Sequence, residues 1–337
     1  MSYWKGKNGP LLIAEIGGNH EGNFEYAKEL CRLAIGSGVD VVKFQIYTGD
    51  TLVSPVESPD RNKHFKKFEL TPEQHQELAK MVIDAGLQYT ASVWDLEAIS
   101  WIDPFIEFYK IGSGDLTAYP VIEGIAKLKK PIIISTGLAT EQEVLDTVKF
   151  IQSLDEMYLK PENLAILQCT SMYPIEYADA NLNVMLRFKE LTGLAVGYSD
   201  HTTDQRAMQY AYAMGAEVLE FHFTDRKEGR EFRDHKVSLT QDDVKALISE
   251  LNIIDTLKGS FTKQPTAIEI ETNHVVTFRR AAYPKTEIKA GEKITADNLV
   301  YLRPNHGTDA RAYADIVGKT AKETIAPFAK ILNEQLD

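Results

Sequence analysis

The sequence predicts an α/β protein, a (β/α)8 barrel of the TIM type followed by a small second domain of short strands and turns. Three observations carry this expectation. Short, β-rich apolar runs alternate with helical periodicity from Leu11 to His222. There are eight such runs, apolar over most of their length, as strands covered by helices on one side and a core on the other must be. From about Phe278 the periodicity gives way to short extended pieces separated by turn residues.

The strands are expected at residues 11–16, 40–45, 88–92, 108–111, 131–136, 164–169, 194–198 and 217–222. Amphipathic helices are expected at 24–36, 71–85, 140–154, 204–214 and 240–257. Thr71, Thr140 and Thr240 stand where N-caps belong, and Pro72 fits a first helical turn. Gly36, Gly38 and Gly86 end helices just ahead of strands. Residues 58–68 show little pattern and read as a loop. The chain therefore divides into a barrel at 1–260, a linker at 261–279 and a second domain at 280–337.

A chain of 337 residues, 44% hydrophobic and 26% charged, has ample material for a large core. Its net charge of −12 argues against nucleic acid or an anionic membrane as a partner. An anionic substrate would need a local cationic pocket. Two cysteines, Cys31 and Cys169, make no disulfide framework. The polar start, Met1 to Pro10, does not read as a signal peptide, and no apolar run reaches spanning length. A cytoplasmic location is the expectation.

Active sites of such barrels lie at the C-terminal ends of the strands. Here every strand end delivers polar or ionisable groups: Glu15, then Lys43, Ser92, Lys110 with Ser113, Ser135 with Thr136, Cys169 with Ser171 and Tyr173, Ser199 with His201, and His222. His201 and His222 stand 21 positions apart, one β–α unit, at the ends of neighbouring strands. Two adjacent neutral imidazoles make half a shell for a divalent cation, which would act as Lewis acid on a carbonyl oxygen. The plainer alternative is two loop histidines satisfied by backbone. Lys43 and Lys110, with nearby hydroxyls and glycine amides, suit a small dianion. Glu15 is a candidate to orient or deprotonate water; alternatively it balances the charge of Lys43 or Lys110.

Together these segments resemble the sialic acid synthase family. The resemblance rests on Glu15-Ile16-Gly17-Gly18-Asn19-His20, Lys43-Phe44-Gln45, Lys110-Ile111-Gly112-Ser113-Gly114, Ser135-Thr136-Gly137, Thr170-Ser171-Met172-Tyr173-Pro174, Ser199-Asp200-His201-Thr202 and His222-Phe223-Thr224-Asp225. The tail from Lys289-Ala290-Gly291-Glu292 through Leu302-Arg303-Pro304 resembles that family's antifreeze-like SAF domain, a β-clip. The resemblance implies condensation of phosphoenolpyruvate with an open-chain N-acetylated amino sugar, N-acetylmannosamine or a relative. The products would be a nine-carbon 3-deoxy-2-keto acid, such as neuraminic, legionaminic or pseudaminic acid, and phosphate, with C–O cleavage. It further implies that His201 and His222 hold Mn2+, or else Mg2+ or Co2+. Lys43, Lys110, Ser113, Ser135, Ser171, Tyr173 and Ser199 would hold phosphoenolpyruvate. Asn62, Tyr173 and Asp234 would contact the sugar, joined by Arg303 from the partner chain of a domain-swapped homodimer.

Two segments depart from the family pattern where the sugar should bind. Arg230-Glu231-Phe232-Arg233 precedes Asp234-His235 in place of a Gly-Pro run, and Asn305–Asp309 replaces a shorter glycine-rich turn. Two other functions compete with the synthase: a different metal-dependent barrel lyase or aldolase, and a catalytically silent sugar-binding scaffold. The first has no use for paired lysines among hydroxyls; the second would tolerate loss of Glu15 or of a histidine, and all are present.

Overall fold

In a computed structural model, which describes residues 4–337, the eight apolar runs pair in parallel, each with the next. They are β1 Gly9–Glu15, β2 Val41–Ile46, β3 Gln88–Val93, β4 Tyr109–Ile111, β5 Ile132–Ser135, β6 Leu164–Cys169, β7 Ala195–Asp200 and β8 Val218–His222. The ring closes because β1 also pairs with β8, from Leu11 opposite Val218 to Glu15 opposite His222. Closure leaves the sheet no open edge, as the barrel expected from sequence requires.

Strand alternation sorts the apolar runs into two layers. Leu12, Ala14 and Ile16 face outward into the core shared with the helices. Leu11 and Ile13 face the barrel axis with Val41, Phe108, Ile133, Ala165, Leu167, Ala195 and Val218, and Trp4 joins them, edge-on to Phe108. The same inward face, continued toward the strand C-termini, carries Glu15, Lys43, Lys110, Ser135, Cys169, Ser199 and Glu220. The apolar floor and the polar site are thus consecutive storeys of one interior.

Helices Phe24–Ile35, Pro72–Asp84, Tyr119–Ala126, Glu141–Leu154, Asn183–Thr192, Arg206–Ala213 and Gln241–Lys258 follow the strands. Their starts follow local chemistry. Thr71, Thr140 and Thr240 each accept a bond from the amide three residues on, and Gln74, Glu143 and Asp243 reach back in capping boxes. Between β3 and β4 the outer layer is reduced to short turns, Leu96–Ala98, Ile99–Ile102 and Asp103–Phe105.

Two stretches differ from expectation. Residues 58–68 are not a loop: Pro59–Lys67 is helical, with Pro59 in the first turn, and packs beside a shorter helix, Gly49–Leu52. Residues 261–279 are not a bare linker. Ala267–Glu271, started by a Thr266–Glu269 capping box, and His274–Thr277 are helical. The chain resolves into two compact units, one ending at Gly259 and one from Ser260 to Asp337. The second unit pairs β9 Ala281–Pro284 antiparallel with β10 Leu299–Leu302 around a small core of Ala282, Ile288, Ile294, Leu299, Ile316, Ala321, Ile325, Ile331 and Leu336. Among the described residues no helix is long and apolar enough to cross a membrane.

Gly197 in β7 marks a close approach between strands: a Cβ there would meet the Val218 carbonyl and the Leu167 side chain. The neighbouring strand backbone cannot yield without opening the β7–β8 ladder. Gly197→Ala is expected to lower unfolding free energy by about 1–3 kcal/mol, the range for overpacked cores. Denaturant unfolding will check this; an unchanged midpoint would show that the ring has slack here.

Candidate active site

The polar storey encloses a cavity of about 470 Å3 at the C-terminal mouth of the barrel. Register brings its charges together, since Glu15 lies opposite both Lys43 and His222, and Ser199 opposite Glu220. Four buried charges follow. The Lys43 ammonium pairs with Glu15 and lies 3.5 Å from Glu220, while Lys110 is also 3.5 Å from Glu220. The Ser199 hydroxyl donates to Glu220 at 3.1 Å. Burial pushes Lys43 down to about 8, against the pull of Glu220. Burial would raise the Glu220 carboxyl, but Lys110 and Lys43 outweigh it and hold the group ionised, below its ordinary range.

The two imidazoles are buried side by side, ring centres 5.3 Å apart, and both line the cavity. His201 Nδ1 lies 2.8 Å from the Thr170 carbonyl. A carbonyl only accepts, so Nδ1 carries the proton and Nε2 keeps its lone pair. Burial, reinforced by His201, holds His222 neutral, and its buried Nδ1 has no hydrogen-bond partner. For His201, burial is outweighed by Cys169, whose sulfur is 3.9 Å from Nδ1, and the imidazole is raised. A neutral orphaned nitrogen beside an oriented imidazole fits a divalent cation. Among the described residues no group of three or more His, Cys, Asp or Glu side chains could hold one, so the remaining positions would go to water and substrate.

Ser113, Ser135, Ser171 and Ser199 line the same cavity with Gly112 and Gly114. Ser113 accepts a bond from the Gly137 amide at 3.0 Å. A Cβ on Gly137 would come within 2.8 Å of that hydroxyl and 3.0 Å of Ser171, so glycine lets the two serines converge. The Ser135 hydroxyl is buried with no partner. An unpartnered buried hydroxyl among other serines, beside two cations, suits an anion.

A second cavity, about 630 Å3, shares Gln45, Arg61, Phe65, Trp94 and Tyr173 with the first. Asp234 lines it, paired with Arg233 at 2.9 Å, and the Arg233 guanidinium lies 4.2 Å from the Tyr173 ring centre. Phe232 packs against Phe68 and His64 and overhangs Gly18, so Glu231, Phe232 and Arg233 of the departing segment form a wall of this cavity, while Arg230 turns to Asp225. Asn62 departs from its expected place. It is buried away from both cavities, and its amide donates to the Gly49 and Val53 carbonyls and to Asp50, tying the two helices after β2 together. Arg303 belongs to the second unit, 5.1 Å from the Phe278 ring centre.

Sequence reasoning gave no role to Glu220, Asp115, Trp94 or Arg61, all of which line the inner cavity. Glu220 had a signal, lying two positions before His222 on the same inward face. Asp115 is pushed up to about 6 by burial, against Lys110 and a bond from Trp94. Trp94 follows β3 in a loop, and Arg61 stands on the short helix Pro59–Lys67 that shows little pattern in the sequence, so no periodicity declares their facing.

Comparison with known proteins agrees with this geometry. The NeuB family pattern matches residues 30–263, and the SAF domain pattern matches 279–331. The N,N'-diacetyllegionaminic acid synthase of Legionella pneumophila is 33% identical over 97% of this chain and 94% of its own. The pseudaminic acid synthase of Campylobacter jejuni is 32% identical over 94% of this chain and 93% of its own. The crystal structure of the N-acetylneuraminic acid synthetase of Leptospira borgpetersenii, in complex with citrate, superposes with a TM-score of 0.72 at 25% identity, covering 80% of this chain and 92% of that one. Motifs, barrel and family pattern agree, and the chain belongs to the NeuB family of sialic acid synthases, with an SAF domain at its C-terminus.

Proposed function

We propose that this chain is a nonulosonic acid synthase, joining phosphoenolpyruvate to an open-chain N-acetylated amino sugar. The observation that carries this is the coexistence, in one cavity, of paired buried lysines among serine hydroxyls and of two adjacent imidazoles. Relatives named for legionaminic and pseudaminic acids support the product class. In the reaction, C3 of phosphoenolpyruvate bonds to the aldehyde carbon of the sugar and the aldehyde oxygen takes a proton. Water adds at C2, and the C2–O bond then breaks, leaving a 2-keto acid and inorganic phosphate.

Lys43, Lys110 and Ser113, Ser135, Ser171, Ser199 would hold the phosphate and carboxylate, with Tyr173 at the boundary of the two cavities. Glu15, beside Lys43, would orient the attacking water and take its proton. Asp234 would meet sugar hydroxyls in the outer cavity. His201 and His222 would hold a divalent cation, Mn2+ first, whose chemistry is to polarise the aldehyde oxygen. In a domain-swapped homodimer, Arg303 of each chain would complete the partner's sugar site.

The deciding assay is phosphate release from phosphoenolpyruvate with Mn2+, run against N-acetylmannosamine and 6-deoxy diacetamido sugars. Release with one sugar, abolished by chelator and by His201→Ala, is the expected result; full turnover of His201→Ala would remove the metal assignment. Arg303→Ala is expected to raise the sugar KM at least about tenfold, the loss of one charge-assisted contact, with phosphoenolpyruvate KM within about twofold. Equal effects on both substrates would overturn its role.

Asp115 gives a pH test. Its folded-state carboxyl, at about 6, binds a proton more tightly than the ordinary 3.8. Its stabilising contribution is therefore full below 3.8 and lost as pH rises through 6. From pH 4 to 7.5 the ligand-free protein should lose about 2–3 kcal/mol at this site, at about 1.4 kcal/mol per pKa unit. Asp115→Asn should flatten that slope in unfolding titrations; an identical slope would show that Asp115 ionises normally.

A further inference from the structure

The inner cavity has a charge problem. Its lysines are already matched: Lys43 by Glu15 and Glu220, Lys110 by Glu220. Among these side chains two cations against two carboxylates leave no net positive charge, and Asp115 adds negative charge when ionised. The divalent cation proposed for His201 and His222 is counted apart from this balance. Yet the proposed first substrate carries both a carboxylate and a phosphate. A third cation lines the cavity. Arg61, exposed on the helix Pro59–Lys67, forms no ion pair and no hydrogen bond among the described residues, and it is the one cation that lines both cavities. Arg233 is engaged by Asp234, and Lys67, also unpaired, lines the outer cavity alone.

Arg61 is mounted on a braced support. At the next position Asn62 ties the helix to Gly49, Asp50 and Val53, and Lys66 pairs with Asp50 at 2.8 Å. Leu52, Val53, Ser54 and Phe65 of the same segment also wall the inner cavity. The bracing residue thus faces the helix pair while its neighbour faces the two cavities. An unpaired guanidinium at the mouth of a neutral cavity is a bidentate receptor for carboxylate or phosphate that pays little to leave its resting contacts.

We infer that Arg61 is an anion-binding residue of this site, taking the carboxylate or phosphate of phosphoenolpyruvate at the junction of the two cavities. This rests on the synthase reading above, so the test separates the two. Thermal shifts with phosphoenolpyruvate alone and steady-state kinetics would be measured for the full chain, for Arg61→Gln and for Arg61→Lys. The wild type should gain melting temperature with phosphoenolpyruvate and release phosphate when sugar is added. Arg61→Gln should keep its ligand-free melting temperature, because the side chain is exposed and unbonded. It should lose most of the ligand shift and raise phosphoenolpyruvate KM at least about tenfold, as loss of a charge-assisted contact does. Sugar KM should stay within about twofold, and Arg61→Lys should recover part of the loss. A normal shift and KM in Arg61→Gln, or a rise confined to the sugar, would overturn the inference and leave the synthase reading standing. A wild type that neither shifts with phosphoenolpyruvate nor releases phosphate would overturn both.

Discussion

Four buried charges at the mouth of the barrel, Glu15, Lys43, Lys110 and Glu220, govern what the rest of the site can be. Ions of either sign are costly to bury alone, and removing one partner of such a set typically costs about 3–5 kcal/mol. The network therefore demands a frame that holds strands β1, β2, β4 and β8 in fixed register. The closed ring supplies that frame, and the apolar storey beneath it supplies the stability that the charges do not. On the proposed function, substrate binding would then be an exchange, in which anionic oxygens replace contacts that the site makes with itself.

The division into two cavities follows from what closes the barrel mouth. The inner one is built by strand ends and their first loop residues, which the ladder fixes. The outer one is built by the helices after β2 and by the segment 231–234, which tertiary contacts alone position. On the proposed function, chemistry common to the family would belong in the first and discrimination among sugars in the second. Phe232, Arg233 and Arg61 all stand in the second or at its border, where the chain also departs from the family pattern.

How much of this the sequence disclosed depends on where each residue sits. The eight strands were legible because each is an apolar run of strand length bounded by caps and glycines, and only their ends shift by a residue or two. Glu15, Lys43, Lys110, His201 and His222 were legible as ionisable residues at or near the ends of apolar strands, a place where such groups need a purpose. Glu220 was harder, since it sits inside a strand and its facing follows only once His222 is known to point inward. Asn62 and Arg61 mark the limit. Adjacent helical residues differ by about 100° in direction, so an undetected helix at Pro59–Lys67 left no way to tell which of the two faces the cavity. The short helices in 261–279 escaped for a similar reason, being exposed segments with no buried face to impose a period.

The closing ladder between β1 and β8 joins positions more than two hundred residues apart, and the site straddles it, with Glu15 on one side and His222 on the other. No fragment of the barrel from either terminus therefore holds a complete set of ligands. Whatever binds across that seam draws its affinity only from the closed ring, and by linkage holds the ring shut. The place where the chain's two ends meet is thus also the place where occupancy and foldedness become the same equilibrium.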